Sequence, residues 1–413
     1  MKRRILIIIL VLILVIAGGI FLYFNFFALS GKASLNLKVV PSDAKVSING
    51  EEKDKDVFEL KPGKYDIEVW KEDYETYKKS IHLGEGEEKE ISIQLKFVPS
   101  RQVLKRDLLS YFLNREENIV FYMTSNKDIY RLDGDQEEKV GQLESGDTVF
   151  KVKWSSNDSK LIVDLEVIGG SLKKVIFSEY GKKIADYDEG MKDVDFFENG
   201  NKIIYVYGKG SMYYDDDFES NLSVSELDGS NWKVLASLTK IGLPFMFVSP
   251  SSDLIALSSM PGGGGGDIYV VGVDGKNIKQ ITSDGYSIYP VWSLGGDRIL
   301  YNVTNNGESG PSLWLMNKNG SDKKSLDVNT TTDKCAWKDP QNLICAVPKN
   351  YSEDGSFTED ALYAINIDTG EKTLIEDFTE GKFDIESIQI DNDENIYFIN
   401  KYDKSLYRLK TKP

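Results

Sequence analysis

The chain has 413 residues, 41% of them apolar, with two cysteines, one histidine and a formal charge of -16. It is too long for one ordinary domain. The carboxylate excess, with no basic stripe of interleaved aromatics, excludes nucleic acid as a partner.

Residues 1–24 read MKRRILIIILVLILVIAGGIFLYF. Lys2, Arg3 and Arg4 precede an unbroken apolar run from Ile5 to Phe24, about the length that crosses the hydrocarbon core as a helix. Cations before the run place the N-terminus in the cytoplasm and the bulk of the chain outside it. The expectation is a single-pass anchor over residues 1–30, meeting the membrane through residues 5–24. A secretory signal is the rival, but its apolar part spans only about 7–15 residues before a small-x-small site. Here the run is longer, and only Ala28-Leu29-Ser30 resembles such a site. No cysteine stands near the end of the run to carry a lipid anchor.

From Ala33 to Leu95 the apolar residues alternate: Leu35, Leu37 and Val39; Val46 and Ile48; Tyr65, Ile67 and Val69; Ile91, Ile93 and Leu95. Period two means strands with one buried face. Asn49-Gly50 suits a tight turn with positive φ, and Pro62-Gly63 marks another. The segment reads as a small antiparallel β domain over residues 31–96.

Val39-Val40-Pro41-Ser42-Asp43-Ala44, Val46-Ser47-Ile48-Asn49-Gly50 and Leu60-Lys61-Pro62-Gly63-Lys64-Tyr65, with the later Asp73-Tyr74 and Ile91 to Leu95, resemble a PEGA domain. The usual acidic-glycine pair before Ala44 is missing, and so is the Thr-Pro step between Asp54 and Phe58. The resemblance implies a sandwich-like extracytoplasmic module of envelope proteins, with no catalytic residue to carry over.

Beyond residue 97 one text recurs. A strand end, a polar turn and an apolar run seven residues on appear at Phe112/Ile119, Trp154/Leu161, Phe196/Ile203, Val248/Ile255, Trp292/Ile299, Trp337/Ile344 and Gln389/Ile396, spaced by 42, 42, 52, 44, 45 and 52 residues. A third strand follows with an aliphatic-aromatic pair: Ile129-Tyr130, Ile176-Phe177, Ile268-Tyr269, Leu313-Trp314, Leu362-Tyr363 and Leu406-Tyr407. The third repeat differs and offers Leu222-Ser223. Turn signals such as Asp274-Gly275 and Asn319-Gly320 lead into a fourth, more polar strand. Four strands at a period in the forties describe a propeller blade. The seventh repeat supplies only three strands, so ring closure predicts that a segment within Lys96–Arg106 pairs onto it and covers its edge.

Pro290-Val291-Trp292-Ser293 with Gly296-Asp297, Trp154-Ser155 and Ser249-Pro250 are similar to the repeat of TolB-like, WD-type propellers. The resemblance covers Asp107 to Pro413. Together with the apolar N-terminal run and the count of seven repeats, it gives the expectation of an all-β chain, with an N-terminal transmembrane helix and the PEGA-like domain preceding a seven-bladed β-propeller at 97–413. Six- and eight-bladed rings share the same repeat text. In that family the aromatic packs between blades and the Asp-Gly forms the turn.

Enzyme classes are limited by histidine. His82 stands alone between Ile81 and Leu83, where alternation points it to solvent, and there is no Gly-x-Ser-x-Gly elbow. A Ser-His-Asp triad or multi-histidine metal site is therefore excluded. The expectation is no enzymatic activity, no catalytic or metal residues and no cofactor; a carboxylate-based lyase or glycosidase in the propeller funnel is the alternative. Tyr213, Tyr214, Asp215, Asp216 and Asp217, and likewise Asp391-Asn392-Asp393-Glu394, lack the spacing of a calcium loop and read as solvated turns. Cys335 and Cys345 lie on two strands of one hairpin. They face each other if its loop has three residues and point apart if it has four.

Long loops join strands two and three: roughly Gly208–Asn221, Ser258–Asp267, Thr304–Pro311 and Pro348–Asp360. Strands alternate in direction, so these loops emerge at one end of the ring, where variable loops on a rigid base carry recognition. The expected contacts there are Tyr213, Tyr214 and Asp215 to Asp217. The expected role is a membrane-anchored binding or scaffold protein of the cell envelope, its partner an envelope protein or a cell-wall polysaccharide. A purely structural spacer is a further alternative.

Overall fold

The computed structural model describes residues 13–19 and 31–412, except residues 55, 144–145, 156–159, 167–171, 179–180, 188, 199, 210–217, 252, 260–265, 284–288 and 304–309. Of the expected membrane helix only Ile13 to Gly19 are described, and they are helical. The rest of that run lies outside the described residues. Among the described residues no helix is long and apolar enough to cross a membrane.

The chain divides into two compact units, one ending at Ser100 and one spanning Arg101–Lys412. The first contains β1 (Ala33–Val40), β2 (Lys45–Ile48), β3 (Glu51–Lys53), β4 (Val57–Leu60), β5 (Gly63–Trp70), β6 (Tyr77–Leu83) and β7 (Glu88–Gln94). They form two sheets, β4-β1-β7 and β3-β2-β5-β6. The alternating residues Leu35, Leu37, Val46, Ile48, Ile67, Val69, Ile81, Leu83 and Ile93 are buried in one core. Each such side chain contributes about 1.5–3 kcal/mol by leaving water. Asn49 (φ 52) and Gly50 (φ 81) form the turn from β2 to β3. His82 is exposed between buried Ile81 and Leu83.

One pairing corrects the expected all-antiparallel arrangement: β1 runs parallel to β7, with Leu37 opposite Ile91 and Val39 opposite Ile93. Parallel neighbours need a crossover rather than a hairpin. The second sheet, lying between β1 and β7 in the chain, supplies it.

The second unit is an all-β propeller fold. Among the described residues seven four-stranded sheets succeed one another. Sheets 1 to 7 are named in order of their first strands: Leu108–Asn114, Thr148–Trp154, Met191–Phe197, Phe245–Val248, Val291–Trp292, Cys335–Asp339 and Ile385–Ile390. Within each, the strands lie side by side in chain order, and sheet 7 takes its fourth strand from β8 (Ser100–Lys105). That is the strand expected from the segment Lys96–Arg106. First strands of neighbouring sheets touch, between sheets 1 and 2, 3 and 4, 6 and 7, and 7 and 1. They are the inner strands.

Second strands are covered on both faces, as their continuous apolar text requires: Ile203–Val206 and Ile396–Asn400 are buried throughout. Tryptophans at the ends of inner strands join neighbours. Trp292 Nε1 donates to the Phe247 carbonyl at 2.9 Å, and Trp154 Nε1 to Ser110 Oγ at 3.0 Å. The turn after Trp292 closes on itself: Ser293 Oγ donates to Asp297 at 2.6 Å and accepts the Arg298 N–H at 3.0 Å. Gly296, at φ +70, makes that turn.

Sheets 1 and 7 are directly bonded. The buried Tyr111 hydroxyl lies against the carbonyls of Ser387 and Tyr397, 2.9 Å from the latter, and Gln389 Oε1 accepts the Leu113 N–H at 2.7 Å.

Cys335 and Cys345 are register partners with Cα atoms 4.1 Å apart, joined by a disulfide. They face each other through neither of the expected loops. Asp339 pairs with Asn342, and a register shift between Trp337 and Asp339 restores the alignment. An unpaired residue in one strand changes the parity of the hairpin.

Candidate functional site

The expected contacts Tyr213, Tyr214, Asp215, Asp216 and Asp217 lie outside the described residues, as do most of the loops 258–267 and 304–311. The fourth expected loop is shorter than its text implies. The second strand of sheet 6 continues to Tyr351 and the third begins at Thr358. A register shift between Pro348 and Asn350 lets the ladder resume past the proline.

At the base of that hairpin, where the chain enters sheets 6 and 7, a lysine and two carboxylates meet out of water. Lys334 Nζ donates to Asp360 Oδ2 at 2.7 Å, Asp384 Oδ1 at 2.6 Å and Thr358 Oγ1 at 2.7 Å. All three of its protons are used. Asp360 Oδ2 also accepts the Ile385 N–H at 2.7 Å, while Asp384 Oδ2 accepts the Thr358 N–H and faces Lys401 at 3.4 Å. Burial opposes the charge on Asp384, but the hydrogen bond and charge of Lys334 hold its carboxyl below the ordinary 3.8. Glu386, next on the inner strand of sheet 7, moves the other way. Burial raises it, and the charges of Asp384 and Asp333 add to that against the pull of Lys401 and Lys334.

A second network joins sheets 2, 3 and 4. Lys153 Nζ donates to the Val194 carbonyl at 2.8 Å and lies 3.3 Å from Asp193 and 3.7 Å from Asp195. Asp193 Oδ2 accepts the Met246 N–H at 2.8 Å. Desolvation opposes the charge on Lys153, yet Asp195 and Asp193 raise its pKa above the ordinary lysine value. Burial raises Asp195 against the pull of Lys153, with Asp193 adding a like charge. Lys151 reaches solvent, but desolvation by the protein around it, then the like charge of Lys153, lowers its pKa. Behind them Lys174 pairs with Asp164 at 3.0 Å across sheet 2.

Sequence reasoning missed both networks, although a signal was present. Lys151-Val152-Lys153 and Asp193-Val194-Asp195 occupy consecutive inner strands with opposite charge, and Asp384-Ile385-Glu386 repeats the pattern in sheet 7. In the turn Asp391 to Glu394, Asn392 and Asp393 are exposed as expected, but its first residue is not. Asp391 is buried rather than solvated, accepting from the Asn395 backbone N–H and side-chain amide at 2.8 Å each and from Tyr397 Oη at 3.2 Å. It caps a turn.

Residues 33–100 match the model of the PEGA domain, so the chain carries a PEGA domain ahead of its propeller. Among curated proteins the sequence finds no match. Solved structures of similar fold include oligogalacturonate lyase from Vibrio parahaemolyticus, at 13% identity and a TM-score of 0.55, covering 76% of this chain and 93% of that one. An oligogalacturonate lyase in complex with manganese is 12% identical, with a TM-score of 0.54 and coverage of 76% and 91%. The β-propeller domain of Cps50 (Swd1) from Myceliophteria thermophila is 10% identical, with a TM-score of 0.52 and coverage of 76% and 100%. At such identity the likeness is one of fold.

These neighbours correct one expectation. The chain was expected not to be an enzyme because its single histidine stands apart from the propeller, but the same fold is found in two lyases. The fold by itself therefore does not exclude catalysis. The manganese of the second lyase finds no counterpart in donor geometry: among the described residues no three His, Cys, Asp or Glu side chains group closely enough to hold a metal ion.

Proposed function

We propose that this protein is anchored in the cell membrane by residues 5–24 and acts outside the cytoplasm as a binding or scaffold protein of the envelope. Its seven sheets then stand as the blades of one closed ring, and the loop-bearing end docks a partner. The observation that carries this reading is the buried Lys334–Asp360–Asp384 cluster at that end. It ties the root of a long hairpin to the next sheet and so gives the loops a rigid base, as recognition requires.

The test is recovery of partners from detergent-solubilised membranes with the full chain and with a Tyr213→Ser, Tyr214→Ser double variant. Loss of a specific co-purifying component from the variant is the expected result. Equal recovery by both forms removes Tyr213 and Tyr214 from the docking surface.

A second reading is favoured by the inner-strand titrations. Lys151, with a lowered pKa, and Asp195, with a raised one, stand on neighbouring inner strands, and opposed shifts of this kind suit a base and an acid of proton transfer. Turnover of acidic polysaccharides, followed by the ultraviolet absorbance of an unsaturated product, checks it. Activity that survives both Lys151→Met and Asp195→Asn would discard the assignment.

A further inference from the structure

We propose that the cleft between sheets 2 and 3 is a binding site for an uncharged saccharide. The proposal stands on the face of sheet 3, where Tyr207 and Asn221 border one of the long loops, and it does not depend on a partner docking on those loops.

The cleft arises from one departure in the repeat. In six sheets the third strand sets an aromatic ring against the second: Tyr130 opposite Tyr122, Phe177 opposite Leu161, Tyr269 opposite Leu257, Trp314 opposite Tyr301, Tyr363 opposite Cys345 and Tyr407 opposite Phe398. Two of these pairs stack, with centroids 5.2 Å apart for Tyr122–Tyr130 and 5.4 Å for Phe398–Tyr407. In sheet 3 the residue opposite Tyr205 is Ser223. A cavity of about 680 Å³ opens over this face, bounded on its far side by Asp186 and Tyr187 from the last strand of sheet 2. That is within the usual range for small-molecule sites, about 300–1,000 Å³.

The walls carry both aromatic and polar residues. Tyr187, Tyr205 and Tyr207 supply rings, and Trp232 stands at the rim with 66% of its surface exposed. The Tyr187 ring is fixed by its hydroxyl, which donates to the Leu227 carbonyl at 2.6 Å. Burial first, then the charges of Asp228 and Tyr205, push that phenol above its ordinary value, so it stays neutral. Gly190 leaves room for Tyr207, since a Cβ there would collide with its ring.

Asn221, Ser223 and Asp228 contribute the polar atoms. Asp186 is spoken for by Lys173 at 3.1 Å and Lys183 at 2.8 Å. Among the described residues no cation pairs with Asp228; Ser230 donates to it from its hydroxyl at 2.6 Å and its backbone at 2.9 Å and keeps it ionised. A purely apolar ligand would leave these groups without partners. A polyanion would meet Asp228 and the negative field of the whole chain. A pyranose ring satisfies both demands: its C–H face lies on an aromatic ring and its hydroxyls reach amide, hydroxyl and carboxylate.

The experiment is calorimetric titration of the full-length protein in detergent with a soluble tetramer of N-acetylglucosamine, a tetramer of glucose and trigalacturonate. Two variants accompany it: Ser223→Tyr restores the missing ring and fills the cleft, and Trp232→Ala removes the exposed platform without touching the interior. Circular dichroism establishes that each is folded. At least one neutral oligosaccharide should bind, each variant should weaken it by about 10-fold or more, and trigalacturonate should not compete. The proposal is overturned if neither neutral tetramer binds, if both folded variants bind as the native chain does, or if trigalacturonate binds more tightly than the neutral sugars.

Discussion

Tyr205 lies directly across sheet 3 from Ser223, where the six other sheets carry an aromatic residue at the position of the serine. The space is therefore missing volume, not a consequence of loose pairing, since the ladder through both residues is continuous. Ser223→Tyr should leave stability unchanged or raise it by up to about 1 kcal/mol, as cavity-filling changes do. Urea denaturation measures it. A loss above about 1 kcal/mol would show that the new ring is overpacked and that the space is not there.

The buried cluster in sheets 6 and 7 should behave as an all-or-nothing unit. Lys334→Met removes the cation that Asp360 and Asp384 share and leaves Asp384 only Lys401 at 3.4 Å, and breaking a buried pair on one side costs about 3–5 kcal/mol. The unfolding midpoint at neutral pH is the measurement, and a shift equivalent to less than about 1 kcal/mol would contradict it.

The same cluster dictates a pH dependence. Asp384 has a folded-state pKa below its ordinary 3.8. A depressed carboxylate contributes stability that is fully present above the unfolded value and is lost as pH falls through the folded one. The native chain should therefore lose stability from about pH 4 downward, and Lys334→Met should lose less over the same interval. Parallel curves for the two proteins would refute the assignment.

The Cys335–Cys345 bond closes a short loop, with a sequence separation of 10. Constraining an unfolded loop of that size is worth about 2–3 kcal/mol in the chain-entropy model. Reduction should lower the denaturation midpoint accordingly and leave circular dichroism at neutral pH unchanged. Equal stability of the oxidised and reduced chains would be inconsistent with the bond.

Closure of the ring can be tested at Tyr111, whose hydroxyl meets the carbonyls of Ser387 and Tyr397 in sheet 7. Tyr111→Phe leaves both carbonyls without that donor and should cost about 1–3 kcal/mol. An effect below about 0.5 kcal/mol would mean that sheets 1 and 7 are not joined in solution.

Much of this architecture is legible along the chain, because period-two burial and the spacing of turns are local properties. Leu35, Leu37, Ile67 and Val69 announce the first unit, and the repeating pairs from Phe112/Ile119 to Gln389/Ile396 announce the second. Even the strand Ser100–Lys105, at least 300 residues from its partner strand Ser405–Lys410, follows from counting, since a sheet short of one strand would be left with a bare edge. The cysteine pair shows the limit of such counting: one unpaired residue near Lys338 reverses the facing that loop length alone implies.

What the sequence by itself determined is the strands of the repeats, their order within each repeated sheet and the oddity of Ser223 among the third strands. Only the tertiary structure decided that Lys151 and Lys153 sit beside Asp193 and Asp195, that Lys334 draws Asp360 and Asp384 together, and that the gap at Ser223 opens toward Tyr187. A strand's pattern records which of its side chains share a face. Which faces then meet is set by the stacking of separate sheets, where charges that look solvated in the text find one another and a small residue becomes a cavity.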